Sequence, residues 1–223
     1  MSEIKPSATV VLLRDVDDGI ETLLLQRNTK SSFAAGAWVF PGGAVDECDN
    51  IAGEGEEHCA AICAARECEE EAGVTISPEG LLAFSHWTTP DVMPKRFSTW
   101  FFLCPLAVGA DVTVDGGEIT DHRWLSPDRA LQVHRAGEVS LMPPTYITLL
   151  ELASASSVAG ALEAYTQRGM RHYLPHVTKD GDAMCFLYQG DAGYEQVDPS
   201  VPGARHRTLM TSAGYDFQST LDD

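Results

Sequence analysis

Three carboxylates, Glu67, Glu70 and Glu71, stand at spacings i, i+3 and i+4 in the run Arg66-Glu67-Cys68-Glu69-Glu70-Glu71-Ala72-Gly73-Val74. On a helix those positions share one face. Carboxylates crowded together repel unless cations sit among them, and an all-oxygen ligand set suits hard divalent ions such as Mg²⁺. Such ions serve phosphate chemistry, because they neutralise phosphoryl oxygens and lower the pKa of water. A solvated acidic face has the same composition, so the company the run keeps decides between the readings. An Arg opens it, a Gly closes it, and Phe40-Pro41-Gly42-Gly43 precedes it. Arg66 lies four residues before Glu70 and can pair with it, bracing the acids without itself holding the ion. Gly42 and Gly43 allow a tight turn and a close backbone approach to metal or phosphate.

The elements that must hold these groups follow from local pattern. Residues 8–13 and 20–25 are β-type apolar runs joined by a loop over 15–19. Residues 33–39 read as a loop of small residues returning to Phe40. The Ala-rich stretch 57–72 reads as a helix with acids in its first turn and Gly73 as its C-cap. Residues 81–87, 97–106 and 119–125 read as strands. Ser126-Pro127 starts a helix to about 136, Ser as cap and Pro at the first position. Further helices are expected over 143–152 and 156–168, then short strand-like pieces over 171–177 and 183–189. This order suits an α/β sandwich with a mixed sheet between helices, over residues 1–150. Residues 151–223 form an α+β extension packed on the same body, either covering a pocket or making a homodimer contact.

Composition narrows the partners. Fifteen Lys and Arg against 33 Asp and Glu give a net charge of −18, which disfavours nucleic-acid polymers and anionic membranes. Bound divalent ions would reverse the local potential where a phosphate must sit. No apolar run approaches 18 residues and the first seven residues are polar, so a cytoplasmic protein is expected. The six cysteines show neither a CxxC pair nor an HxxxH partner; reduced, mostly buried thiols are expected, not zinc or disulfides.

The run 66–74 resembles the second half of the Nudix hydrolase signature, G-x5-E-x7-R-E-U-x-E-E-x-G-U, where U is bulky and apolar. Arg66-Glu67, Glu70-Glu71, Gly73 and Val74 match, with Cys68 where Leu is usual. The first half departs: sixteen residues, 50–65, separate Asp49 from Arg66 where the signature has seven. Asp46, Asp49, Glu56 and Glu57 all remain candidates for its first acid, and 50–57 reads as a surface insert. The resemblance implies the α/β/α sandwich of that superfamily and hydrolysis of a diphosphate linked to a nucleoside. It implies Glu67, Glu70 and Glu71 as ligands of Mg²⁺ or Mn²⁺, with the carbonyl of Gly42 beside them and Gly43 against the substrate. Glu67, Glu70 or a loop acid such as Glu118 would take the proton of the attacking water, with Arg66 orienting the cluster.

Two further stretches concern the substrate. Leu23-Leu24-Leu25-Gln26-Arg27, followed by Gly36 and Phe40-Pro41-Gly42-Gly43, is similar to the motif of coenzyme A diphosphatases. Leu25, Asn28 and Ser32 depart from it, and Ser32 stands where that motif has a phosphate-binding Arg. His86-Trp87-Thr88-Thr89-Pro90 and Lys95-Arg96-Phe97 resemble the acyl-CoA diphosphatase branch known from peroxisomes and its bacterial relatives. Arg27, Lys95 and Arg96 could meet phosphates, and Trp87 could stack on a base, although core packing competes for that ring. The substrate expected is a nucleoside-diphosphate-linked small molecule, CoA or acyl-CoA first. ADP-ribose, NADH or a nucleotide sugar is the alternative, and a non-catalytic binding module with the same fold is the rival class.

Overall fold

A computed structural model describes residues 3–30, 34–212 and 214–221. Ser32 and Phe33, part of the stretch between Arg27 and Phe40, lie outside the described residues. Strand β1 (Ile4–Val16) is the centre of the main sheet, pairing antiparallel with β2 (Gly19–Arg27) and, near its start, with a short strand at Gly42–Ala44. Numbered in chain order, Trp38–Val39 is β3 and Gly42–Ala44 is β4; both pair antiparallel, with β2 and β1 respectively. Strands β5 (Leu82–Thr88), β6 (Arg96–Pro105), β7 (Ile119–Leu125) and β8 (Arg171–Tyr173) complete the sheet. Its order is β3-β2-β1-β6-β5-β8, with β7 added to β2. The β1–β6 and β5–β8 pairings are parallel and the others antiparallel, so the sheet is mixed.

Alternation along β1 explains why this sheet lies between two helical layers. Val10 and Leu12 point to one face and pack with the small residues of helix α1 (Glu56–Ala72). Val11 and Leu13 point to the other face. There they meet helices α2 (Pro127–Arg135), α3 (Pro143–Leu152) and α4 (Val158–Arg168). A strand apolar on both faces has to be covered on both. The α/β/α sandwich with a mixed sheet is therefore observed.

Helix α1 positions the acids through its own small side chains. Ala60, Cys63, Ala64 and Cys68 form a buried stripe at helical spacing, which lets the backbone approach β1 and β4 closely. The helix ends where Gly73 takes up φ 67°, its N–H bonding to Glu69 O at 2.9 Å. Only a residue tolerant of the left-handed region ends a helix this way at low cost.

The structure departs from the sequence reading in three places. Gly42-Gly43, expected as a tight turn, is a strand against β1, fixed next door by Val10 N–H donating to Pro41 O at 2.9 Å. The stretch 171–177 is not one piece. It breaks before Pro175, whose ring removes a donor and restricts Leu174; β8 joins the main sheet and β9 (His176–Asp180) starts a second one. That second, antiparallel sheet continues through β10 (Ala183–Leu187), β11 (His206–Thr211) and β12 (Gly214–Ser219), the last two unforeseen. Residue 150 falls within α3, and α4 and β8 pack against the main sheet.

One face of the second sheet carries Phe186, Tyr215 and Phe217 against the main core; the opposite face buries Cys185 and Leu187 under Tyr194. The loop bearing Tyr194 is anchored by a buried ion pair. Asp191 accepts two bonds of 2.7 Å from Arg207, and also the N–H groups of Gly193 and His206 at 2.9 Å. Burial alone would raise the Asp191 carboxyl, but these donors outweigh it and hold it below its ordinary range. The six cysteines are unpaired, and only Cys48 is exposed. Among the described residues no helix is long and apolar enough to cross a membrane.

Removing one partner of a buried pair leaves the other charge uncompensated, at about 3–5 kcal/mol. Asp191→Ala is therefore expected to lower the melting temperature by roughly 10 °C, measured by circular dichroism. A change within about 2 °C would remove the ion pair as the anchor of this sheet.

Candidate active site

The acids of α1 converge on β4 through two glycines. Gly42 N–H donates to Glu71 Oε2 at 2.9 Å, and a Cβ on Gly43 would run into the Glu67 carboxylate. A side chain at Gly42 is excluded by the backbone of Ala8 and Thr9, and one at Gly43 would displace the Glu67 carboxylate. Glu71 is 5% exposed although it is an acid. It also lies in the last turn of α1, where the helix dipole disfavours negative charge and which carries no basic residue of its own. Acids placed there weaken the helix, so helix stability does not account for them.

Arg66 is the hub that holds three of these acids apart. Its Nε and Nη2 donate to the two oxygens of Asp49 at 3.0 and 2.8 Å, a bidentate pair. Its Nη1 is shared between Glu67 Oε1 at 3.0 Å and Glu70 Oε2 at 2.9 Å, and Nη2 also donates to Ala44 O at 3.1 Å. The expected i, i+4 pair with Glu70 is present, but Asp49 is the better partner. Of the four upstream acids, Asp49 is the buried one and meets Arg66 directly; Asp46 comes only to 4.0 Å. Asp49 itself sits at the end of a one-turn 3₁₀ segment, Glu47–Asp49, its carboxylate accepting Asp46 N–H at 2.8 Å.

A second cation bridges the remaining acids. Arg27 Nη1 lies 3.7 Å from Glu71 and Nη2 lies 3.5 Å from Glu118. The β2–β7 pairing slips between Gln26 and Arg27, and such a bulge re-aims the side chain beside it. Glu118 stands on a loop ordered by Asp115, whose carboxylate accepts the N–H groups of Gly117, Glu118 and Ile119. Asn28 ties that loop to β2, its backbone N–H donating to Glu118 O and its side chain to Gly117 O. Asp115 and Asn28 were missed in the sequence, although Asp before Gly-Gly is the pattern of a side-chain-stabilised turn.

Charge states record the crowding. Burial raises the Glu71 carboxyl to about 7; the Gly42 bond and Arg27 oppose this, and Glu67 and Glu118 add to it by repulsion. Glu67 is raised as well, by burial first, with Arg66 opposing and Glu70 and Glu118 repelling. Asp49 ends below its ordinary range, because the Arg66 contacts and a backbone donor outweigh its burial. The Arg66 guanidinium is held charged, chiefly by its bonds to Asp49.

Among the described residues no three acid, His or Cys side chains already form a closed metal cage. The donor chemistry nevertheless fits a hard divalent cation. Glu67, Glu70, Glu71 and Glu118 offer oxygens only, and half-buried Glu67 and buried Glu71 are destabilised as anions.

These groups form the acidic end of a cleft of about 1060 Å³. Glu67, Glu70, Glu71, Arg66, Gly42, Gly43, Arg27, Glu118, Lys95 and Trp87 all line it. Arg96 does not: it is buried, with Nε donating to Thr89 O at 3.1 Å, and it braces the turn between β5 and β6. The Trp87 ring lies flat on Tyr173, with centroids 3.9 Å apart, and belongs to the core as well as to the cleft wall.

Residues 4–143 match the NUDIX domain family. That span is more than half of the chain, and the chain belongs to this family, placed by fold and kinship among the Nudix hydrolases. The acyl-coenzyme A diphosphatase NUDT19 of Homo sapiens is 25% identical over 273 aligned positions, covering 79% of this chain and 73% of that protein. The protein of the same name from Xenopus laevis is 25% identical over 139 residues, 59% of this chain but only 36% of the relative. The crystal structure of a NUDIX hydrolase from Alicyclobacillus acidocaldarius superposes with a TM-score of 0.65 at 24% identity, over 73% of this chain and 97% of that one.

A raised carboxyl opposes folding once it must ionise. Below about 4.5 Glu71 is protonated folded or unfolded, whereas between 4.5 and 7 the folded state holds the extra proton. The metal-free protein is thus expected to lose up to ~3 kcal/mol as pH rises through that window. Glu71→Gln should remove most of this slope and melt above the parent at pH 8, while matching it near pH 4. Parallel profiles of melting temperature against pH for the two proteins would contradict the assignment.

Proposed function

We propose that this protein hydrolyses the diphosphate linkage of a nucleoside-diphosphate-linked small molecule with the help of Mg²⁺ or Mn²⁺, and that its substrate is CoA or an acyl-CoA. The observation that carries the reaction is the convergence of Glu67 and Glu71 on the Gly42-Gly43 strand, with Glu70 joined to Glu67 through Arg66 and Arg27 beside Glu71. Glu67, Glu70 and Glu71 would hold the ion, with the Gly42 backbone alongside. A divalent ion there supplies charge for the phosphate oxygens and a more acidic water.

The chain's own residues do the rest. Arg66 keeps Glu67 and Glu70 in place through a fork that Asp49 orients. Glu118, exposed at the rim and drawn toward the site by Arg27, is placed to accept the proton of the attacking water. Lys95, which lines the same cleft, would offer a positive charge to the departing phosphate. Cleavage of one P–O bond in CoA by water yields phosphopantetheine and adenosine 3′,5′-bisphosphate. Support for CoA as substrate comes from the spacing of Arg27, Gly36 and Phe40 and from the similarity to the acyl-coenzyme A diphosphatases NUDT19. The lining of one cleft wall by the second sheet supports residues 151–223 as a cover for the site.

Initial rates on CoA, octanoyl-CoA, ADP-ribose, NADH and dinucleoside polyphosphates, with Mn²⁺, Mg²⁺ or a chelator, test this reading. CoA compounds are expected to lead, with activity lost on chelation. Turnover of CoA no faster than ADP-ribose would overturn the substrate assignment. Arg66→Lys keeps the charge and loses the fork; it should reduce kcat/KM by about 10–100-fold and raise the Mn²⁺ concentration needed for half activity. An unchanged metal requirement would exclude the bracing role.

A further inference from the structure

The cleft is two-sided in chemistry. Besides the acids, the inward face of the second sheet lines it, presenting Val177, Phe186, Met184 and Met210. Met184 and Met210 are direct cross-strand partners, and each is 42% exposed. The loop before β6 adds Val92 and Met93, also exposed large apolar side chains, to the lining of the same cleft. Four of the large apolar residues left to solvent among the described residues thus line a single cleft. Leaving such a patch wet is unfavourable, and a patch of this kind marks a binding surface.

We propose that this methionine-lined wall is the seat of a flexible alkyl chain attached to the diphosphate substrate, so that the C-terminal sheet reads the acyl group while α1 reads the diphosphate. The inference rests on the proposed function and assigns the acyl end of the substrate to residues outside the 4–143 match. Three observations favour an alkyl chain over a nucleobase here. The exposed members of the wall are aliphatic and thioether side chains, which adapt to chains of different length. Two of the aromatic residues lining the cleft already have ring partners: Trp87 lies on Tyr173, and Tyr215 meets Tyr146 and His134 edge-on or tilted. The wall and the acids line one cavity, whose volume lies at the top of the usual range for a small ligand.

Two measurements test it. The first is kcat/KM on butyryl-, octanoyl- and decanoyl-CoA relative to CoA, for the parent and for Met184→Asn and Met210→Asn, which replace exposed side chains. Full burial of one methylene is worth about fourfold. A rise of at least about tenfold from butyryl to decanoyl is expected in the parent, largely flattened in either variant. The second is calorimetric binding of butyryl- and decanoyl-pantetheine, which carry the chain but neither diphosphate nor nucleotide. The longer chain should bind more tightly to the parent, and the difference should shrink in Met184→Asn. Chain-dependent binding of acyl-pantetheines without any CoA turnover would keep the alkyl seat and overturn the proposed reaction. CoA turnover indifferent to chain length, with no acyl-pantetheine binding, would keep the reaction and overturn the seat.

Discussion

A single guanidinium organises this site. Arg66 touches Asp49, Glu67, Glu70 and the Ala44 carbonyl, and so ties α1, the loop before it and β4 into one unit. Without a cation at that point, three carboxylates from two segments would be forced together in a half-buried place. The small-residue stripe of α1 depends on the same balance, because it is what brings the acids close to the Gly42-Gly43 strand. Close packing of helix on strand and crowding of like charge are therefore two aspects of one arrangement. Arg27 repeats the device for Glu71 and Glu118 at longer distance, which leaves that pair the more open to a competing cation or to phosphate.

What could be read from sequence follows how local each signal was. The Arg66–Glu70 pair was legible because helix geometry alone brings i and i+4 together. Asp49 was not, because a sixteen-residue separation gives no hint of which of four acids returns to the helix. Lys95 and Arg96 were read alike as substrate cations, yet successive residues entering a strand point opposite ways. Lys95 lines the cleft, whereas Arg96 turns into the structure and bonds Thr89. The central strand and α1 announced themselves through strong periodicity. Strands β11 and β12 did not, because their inward residues, Thr208, Met210, Tyr215 and Phe217, mix polar and apolar types.

The second sheet changes the picture of the substrate more than that of the reaction. Its outer face is sealed by Tyr194 and anchored through Asp191 and Arg207; its inner face continues the main core and then emerges as an apolar wall beside the acids. One cleft therefore holds a charged and an apolar half, built from different parts of the chain. Nothing in the α1 motif requires that wall, which is why the motif speaks for diphosphate chemistry and is silent about what the diphosphate carries.

The central claim is that the α1 acids, braced by Arg66, hold a divalent ion at the Gly42-Gly43 strand. Crystals grown with Mn²⁺ and a non-hydrolysable diphosphate analogue test it through the anomalous signal of manganese. A peak is expected within ~2.2 Å of carboxylate oxygens of Glu67 and Glu71, beside the Gly42 backbone. Manganese bound only elsewhere, away from both carboxylates, would contradict the claim.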